Sequence, residues 1–135
     1  MIQLSVFLDD RPGVLAGFIK LLMDNKIFIR ALTVAKTPEY GLLLALVDKP
    51  EECITLVESN GYLLSTTKVI AIKLNEHPDA LYRIPKTLGD QDINIDYCYS
   101  TLVKEDSMLI VRVEDEFIEK AVKTLEKSGF IIIQT

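Results

Sequence analysis

The stretch Asp9-Asp10-Arg11-Pro12-Gly13-Val14-Leu15 gathers two carboxylates, a guanidinium, a proline and a glycine immediately ahead of a periodic apolar segment. Pro12 fixes φ at a helix entrance, and Gly13 lets a ligand approach the backbone without meeting a Cβ. The free amides of Gly13, Val14 and Leu15 at a helix N-terminus suit a carboxylate. Asp10 supplies a negative charge for an ammonium group, with Asp9 as a second choice. Asp, Pro and Gly are also ordinary turn formers, so the string gains weight only from its place between a strand and a helix.

Other reactive residues are sparse. Cys53 and Cys98 lie 45 residues apart without a CxxC spacing, and His77 is the single histidine, so a zinc site or a Cys-His nucleophile is poorly supplied. Neither a metal nor a cofactor is expected. Cys53 falls on a helix stripe and reads as core, whereas Cys98 faces the other way without an evident activator. His77 reads as an exposed loop residue or cap. Tyr97 and Tyr99 share a face with Ile93 and Ile95 and are expected to be buried against helices.

The elements that must position the loop follow from periodicity. Ile2, Leu4, Val6 and Leu8 alternate with Gln3, Ser5 and Phe7, as in a half-buried strand. Leu15, Phe18, Ile19 and Leu22 fall at i, i+3, i+4 and i+7 on a helix ending near Asn25. A strand over Ile27 to Lys36, a turn at Thr37-Pro38-Glu39-Tyr40-Gly41 and a returning strand Leu42 to Val47 make a hairpin. Asp48 and Pro50, with Glu51 and Glu52, open a second helix with inner residues Cys53, Ile54 and Val57. Gly61 ends it, and Tyr62 to Thr66 is a last strand.

The order then repeats. A shift of 66 places Leu4, Val6, Leu8 and Pro12 on Ile70, Ile72, Leu74 and Pro78, and Leu15, Ile27 and Ile29 on Leu81, Ile93 and Ile95. A shift of 68 places Gly61 and Tyr62 on Gly129 and Phe130, with the extra two residues assigned to the hairpin. Pro85 interrupts the third helix, where a kink or restart is expected, or a late start that leaves Pro85 in the first turn. Glu114-Asp115-Glu116 reads as the cap of the last helix, whose stripe is Ile118, Ala121, Val122 and Leu125. Each half is a βαββαβ ferredoxin-like unit of the α+β class, residues 1–66 and 67–135, with helices on one face of an antiparallel sheet. Edge-to-edge joining of the halves would give one eight-stranded sheet.

Composition agrees with a folded domain pair: 135 residues, 49% hydrophobic and 26% charged. Fifteen Lys and Arg against twenty Asp and Glu leave a net charge of -5 without a basic cluster, which argues against nucleic acid as a partner. No apolar run approaches the roughly 20 residues of a membrane span, and no leader pattern opens the chain, so the expected location is the cytoplasm.

Val6-Phe7-Leu8-Asp9-Asp10-Arg11-Pro12-Gly13-Val14-Leu15 resembles the loop signature of ACT domains, small amino-acid-sensing modules of metabolic enzymes, and both halves follow the ACT order of elements. The resemblance implies a tandem ACT pair. It implies a ligand site of Asp10, Arg11, Pro12, Gly13, Val14 and Leu15. In related pairs the partner half adds an Asn at the start of its second strand, a role that Ile93-Asn94-Ile95 carries over to Asn94; the first half has Phe28 at the matching place. The second loop, Glu76-His77-Pro78-Asp79, departs from the signature because Asp79 replaces the glycine, so a degraded second site, facing Phe28, is expected there.

On this reading the chain is a non-catalytic sensor of a free amino acid, allosterically regulating a partner protein of amino-acid metabolism and forming a homodimer. An alternative is a structural or regulatory subunit of a biosynthetic enzyme, in the manner of the small subunits of acetolactate synthase. An acylphosphatase-like hydrolase is disfavoured because Arg11 stands beside two carboxylates that would repel a phosphoryl group.

Overall fold

The computed structural model describes residues 1–75, 77–101 and 104–133. The chain divides into two units, Ile2–Thr67 and Lys68 onward together with Met1. The first holds β1 (Ile2–Leu8), α1 (Val14–Asp24), β2 (Ile29–Lys36), β3 (Gly41–Val47), α2 (Pro50–Ser59) and β4 (Leu63–Lys68). The second repeats the order with β5 (Ile70–Lys73), α3 (Ala80–Gly89), β6 (Tyr97–Ser100), β7 (Met108–Arg112), α4 (Ile118–Lys127) and β8 (Ile132–Ile133).

Strand pairing among the described residues makes two four-stranded sheets, ordered β2-β3-β1-β4 and β6-β7-β5-β8, rather than the one eight-stranded sheet expected. Each unit satisfies its central strands internally: β1 pairs antiparallel with β3 from Leu4 opposite Ala45 to Leu8 opposite Gly41, and β5 pairs with β7 from Ile70 opposite Val111 to Lys73 opposite Met108. The hairpin registers also relocate the two-residue difference between the repeats. Ala31 faces Leu46 and Tyr97 faces Arg112, so both hairpins keep the same offset, and the extra residues fall after β7, in the 3-10 turn Asp115–Phe117.

The cores follow the apolar periodicities. In the first unit Phe18 and Leu22 of α1 and Cys53 and Val57 of α2 pack with Leu4, Val6, Leu43 and Ala45 of the sheet. Full burial of a side chain the size of Phe18 stabilises by roughly 2–3 kcal/mol. Leu15, expected on the α1 stripe, is instead exposed, and Val14, one turn before Phe18, takes that packing position. In the second unit Ala80, Ile84 and Leu88 of α3 and Ala121 and Leu125 of α4 cover Ile70, Ile72, Leu109 and Val111.

Several local expectations need adjusting. Gln3 and Ser5 of β1 are buried despite the alternation, and the Gln3 Nε2 donates to Ser5 Oγ at 3.3 Å. Asp48 does not cap α2. Lys49 holds the cap position without a side-chain bond, and the Asp48 carboxylate turns to the Phe28 amide at 2.9 Å. Pro85 lies well inside α3, so neither the restart nor the late start occurs. The second strands begin at Ile29 and Tyr97, which leaves Phe28 and Asn94 ahead of them.

Candidate functional site

The first-repeat loop enters α1 through Gly13, whose φ of 88° and ψ of -14° are left-handed. Any other residue type would meet a strain of about 1–2 kcal/mol there, so the glycine is required by the backbone. No side chain caps the helix. The Val14 amide is occupied by the Arg11 carbonyl at 3.3 Å, and the Gly17 amide by the Gly13 carbonyl at 3.0 Å. Among the described residues the amides of Gly13, Leu15 and Ala16 have no hydrogen-bond partner. The expected trio of free donors therefore changes: Val14 leaves it and Ala16 joins. Unpaired donors at the positive end of a helix are the elements of an anion site.

Beside this entrance lies a cleft of about 690 Å³ within the first unit, a size suited to a small molecule. Phe7 and Tyr40, packed edge to face with centroids 5.1 Å apart, form one wall. Val14 and Gly17 of α1 form a second. The turn after α2 supplies Asn60, Gly61, Tyr62 and Leu63. Gly61 is left-handed at φ 84°, and the Tyr62 amide returns to the Val57 carbonyl at 3.2 Å, which closes the helix and presents the Tyr62 ring. That ring meets Phe18 edge to face at 5.2 Å. The positive end of α1 and the negative end of α2 thus border one cleft.

Charged residues at the lip are arranged differently from expectation. Asp9 and Arg11 line the cleft and pair with each other at 3.2 Å, both well exposed. Asp10 pairs with Lys36 at 2.9 Å and is not among the lining residues. Asp9, the second choice in sequence, is therefore the carboxylate that lines this cleft. Pro12 precedes the left-handed glycine in the exposed loop.

Asn94 is exposed, with its amide 3.4 Å from the Asp96 carboxylate. Ile93, Ile95, Tyr97 and Tyr99 alternate inward while Asn94, Asp96, Cys98 and Ser100 face out. Phe28 is 71% exposed and its backbone is held by Asp48.

In the second loop, Glu76 lies outside the described residues. Pro78 is exposed, and Asp79 has an ordinary φ of -101°. The Asp79 carboxylate lies 3.7 Å from Arg83, the residue matching Gly17. The Arg83 guanidinium sits 4.7 Å above the Phe130 ring and donates to the Ser128 carbonyl at 2.9 Å. His77 is half-buried rather than exposed, its ring 4.9 Å from that of Phe130. Phe130 gathers both side chains because it is the large apolar surface left beside the α4 turn.

Sequence reasoning missed Gly17, Asn60, Tyr62, Phe7 and Tyr40. One signal was available: a glycine inside an amphipathic helix costs about 1 kcal/mol relative to alanine, and the same repeat position carries arginine. Among the described residues no group of His, Cys, Asp or Glu is placed to hold a metal ion, and no helix is long and apolar enough to cross a membrane.

Two βαββαβ units in tandem define a pair of ferredoxin-like modules. The chain belongs to the ACT domain pair family, whose description matches residues 1–134. No curated protein sequence matches it. A solved structure of protein BT0572 from Bacteroides thetaiotaomicron is similar at 23% identity and TM-score 0.86, covering 98% of this chain and 90% of that one. The ligand-free regulatory subunit of aspartate kinase from Thermus thermophilus is similar at 15% identity and TM-score 0.65, covering 93% and 91%. The corresponding subunit from Thermus flavus gives 14% identity and TM-score 0.61, covering 95% and 92%.

Proposed function

We propose that this ACT pair is a non-catalytic regulatory protein that binds a free amino acid at the first-repeat loop. The observation that carries the reading is the uncapped, glycine-entered α1: its amides at Gly13, Leu15 and Ala16 are free, and its Val14 and Gly17 line a cleft flanked by the Asp9–Arg11 pair. A carboxylate accepts from the amides, and the ammonium takes Asp9, with Asp10 contributing once released from Lys36. Arg11, Pro12, Val14 and Leu15 shape the loop around it.

Binding transmits information only through differential affinity for two states of the protein, and a coupling of roughly 1–3 kcal/mol is enough for regulation. A homodimer acting on an enzyme of amino-acid metabolism is the assembly that we propose, and sedimentation with and without ligand tests it. Arg11, paired with Asp9, stands beside a carboxylate that would repel a phosphoryl group, which favours the non-catalytic reading.

A thermal-shift screen against the common amino acids tests the reading. A ligand at about 100 times its dissociation constant adds about 2.7 kcal/mol. The absence of a shift with every amino acid overturns the proposal.

A further inference from the structure

We infer that the first-repeat cleft is a receptor for a cationic group, a guanidinium or alkylammonium, carried as the side chain of the bound amino acid; this rests on the amino-acid reading above for the remainder of the ligand. The argument is an internal comparison. Gly17 and Arg83 hold the same place in their helices, three residues after the first residue of α1 and of α3. Asn60-Gly61-Tyr62 and Ser128-Gly129-Phe130 hold the same place after α2 and α4, and both glycines are left-handed, at φ 84° and 92°.

In the second repeat this receptor is occupied by the protein itself. The Arg83 guanidinium covers the Phe130 ring at 4.7 Å, donates to the Ser128 carbonyl at 2.9 Å and faces the Asp79 carboxylate at 3.7 Å. A cation over an aromatic face, at the carbonyl end of a helix, is favoured by both the ring quadrupole and the helix dipole. The first repeat keeps two of these parts, the Tyr62 ring and the helix-end residue Asn60, while the place of Asp79 is taken by Gly13. The cation is missing because Gly17 has no side chain.

Two further observations agree. A Cβ built on Gly17 would meet nothing within 4 Å, and Gly17 lines the open cleft at the helix position where the second repeat carries Arg83. The last turn of α2 also contains no basic residue, whereas α4 ends with Lys127 in addition to the Arg83 contact. The negative pole at the cleft is left for a ligand to answer. Arg11, which also lines the cleft, and the free amides at the α1 entrance are the groups available to the carboxylate of the same molecule.

The test is calorimetric titration of the full chain with arginine, with citrulline as its uncharged isostere, and with agmatine, which lacks the carboxylate. Arginine is expected to bind at least about tenfold more tightly than citrulline. Gly17→Ala should retain arginine binding, since the cleft stays open. Gly17→Arg, for which the fold has room, should weaken it by at least about tenfold by installing the second repeat's own plug. Arg83→Gly should open the second receptor and raise the agmatine stoichiometry from one to two.

Equal affinity for arginine and citrulline, indifference to Gly17→Arg, or failure of both arginine and agmatine to bind overturns the inference. So does an Arg83→Gly protein that takes up no additional agmatine. A neutral amino acid whose binding is lost in Gly13→Val but not in Gly17→Arg overturns the cation receptor and leaves the amino-acid reading intact. Agmatine binding that is lost in Gly17→Arg, with no response to any amino acid, supports the receptor and sinks the broader reading.

Discussion

Asp48 and Phe28 clasp each other across 20 residues of sequence: the Asp48 carboxylate accepts from the Phe28 amide at 2.9 Å, and the Asp48 amide donates to the Phe28 carbonyl at 3.0 Å. The pair fixes the chain just ahead of β2 to the end of β3. An exposed hydrogen bond to a charged group contributes on the order of 1 kcal/mol. Asp48→Ala should therefore lower the unfolding free energy measured in urea by that amount, whereas a side chain that served only as an unused helix cap would leave it unchanged.

Gly13→Val should abolish the amino-acid response while the fold survives. The substituted residue must hold a φ near 88°, which disfavours a β-branched side chain by at least about 1–2 kcal/mol. Space is not the obstacle, because a Cβ at Gly13 meets nothing within 4 Å. Thermal shift with and without ligand separates the two effects, and a retained response would place the site away from this loop.

Pro85→Ala should stabilise the protein by about 1–3 kcal/mol. Pro85 is exposed inside α3, where it withholds a donor from the Leu81 carbonyl. Chemical denaturation of the two proteins is sufficient, and an unchanged or lower midpoint would show that the proline holds the helix in a shape that alanine does not reproduce.

Cys53 is buried, and its thiol is pushed up to about 11, first by burial and then by the neighbouring Asp48 carboxylate. The native state holds this proton after the unfolded chain has released it. Its stability relative to Cys53→Ala is therefore full below about pH 9 and falls, by an order of 2 kcal/mol, as pH rises toward 11. Denaturation midpoints of both proteins across that range check the sign. At neutral pH a thiol reagent should label exposed Cys98 and reach Cys53 only on unfolding.

The boundaries of β1, the left-handed Gly61 and the inward alternation of Ile93, Ile95, Tyr97 and Tyr99 were legible in the chain because each depends on neighbours within a few residues. Side-chain period, turn chemistry and capping are local, and a repeated local pattern names the fold. Gly13 was legible for the same reason: a glycine after proline at a helix entrance has few other uses.

Tertiary structure decided the partners. The sequence reads Asp48 as a helix cap, but Phe28 reaches it from 20 residues away, and Asp10, read as the ammonium acceptor, pairs with Lys36 at 2.9 Å. Arg83 finds the Ser128 carbonyl 45 residues downstream, while Gly17 leaves the matching cleft open. Sequence alone determined which backbone elements form and in what order, since those follow from local conformational preference and apolar spacing. Which charges remain free for a ligand was decided only by packing, because long side chains choose among partners that the folded sheet and helix ends bring within reach.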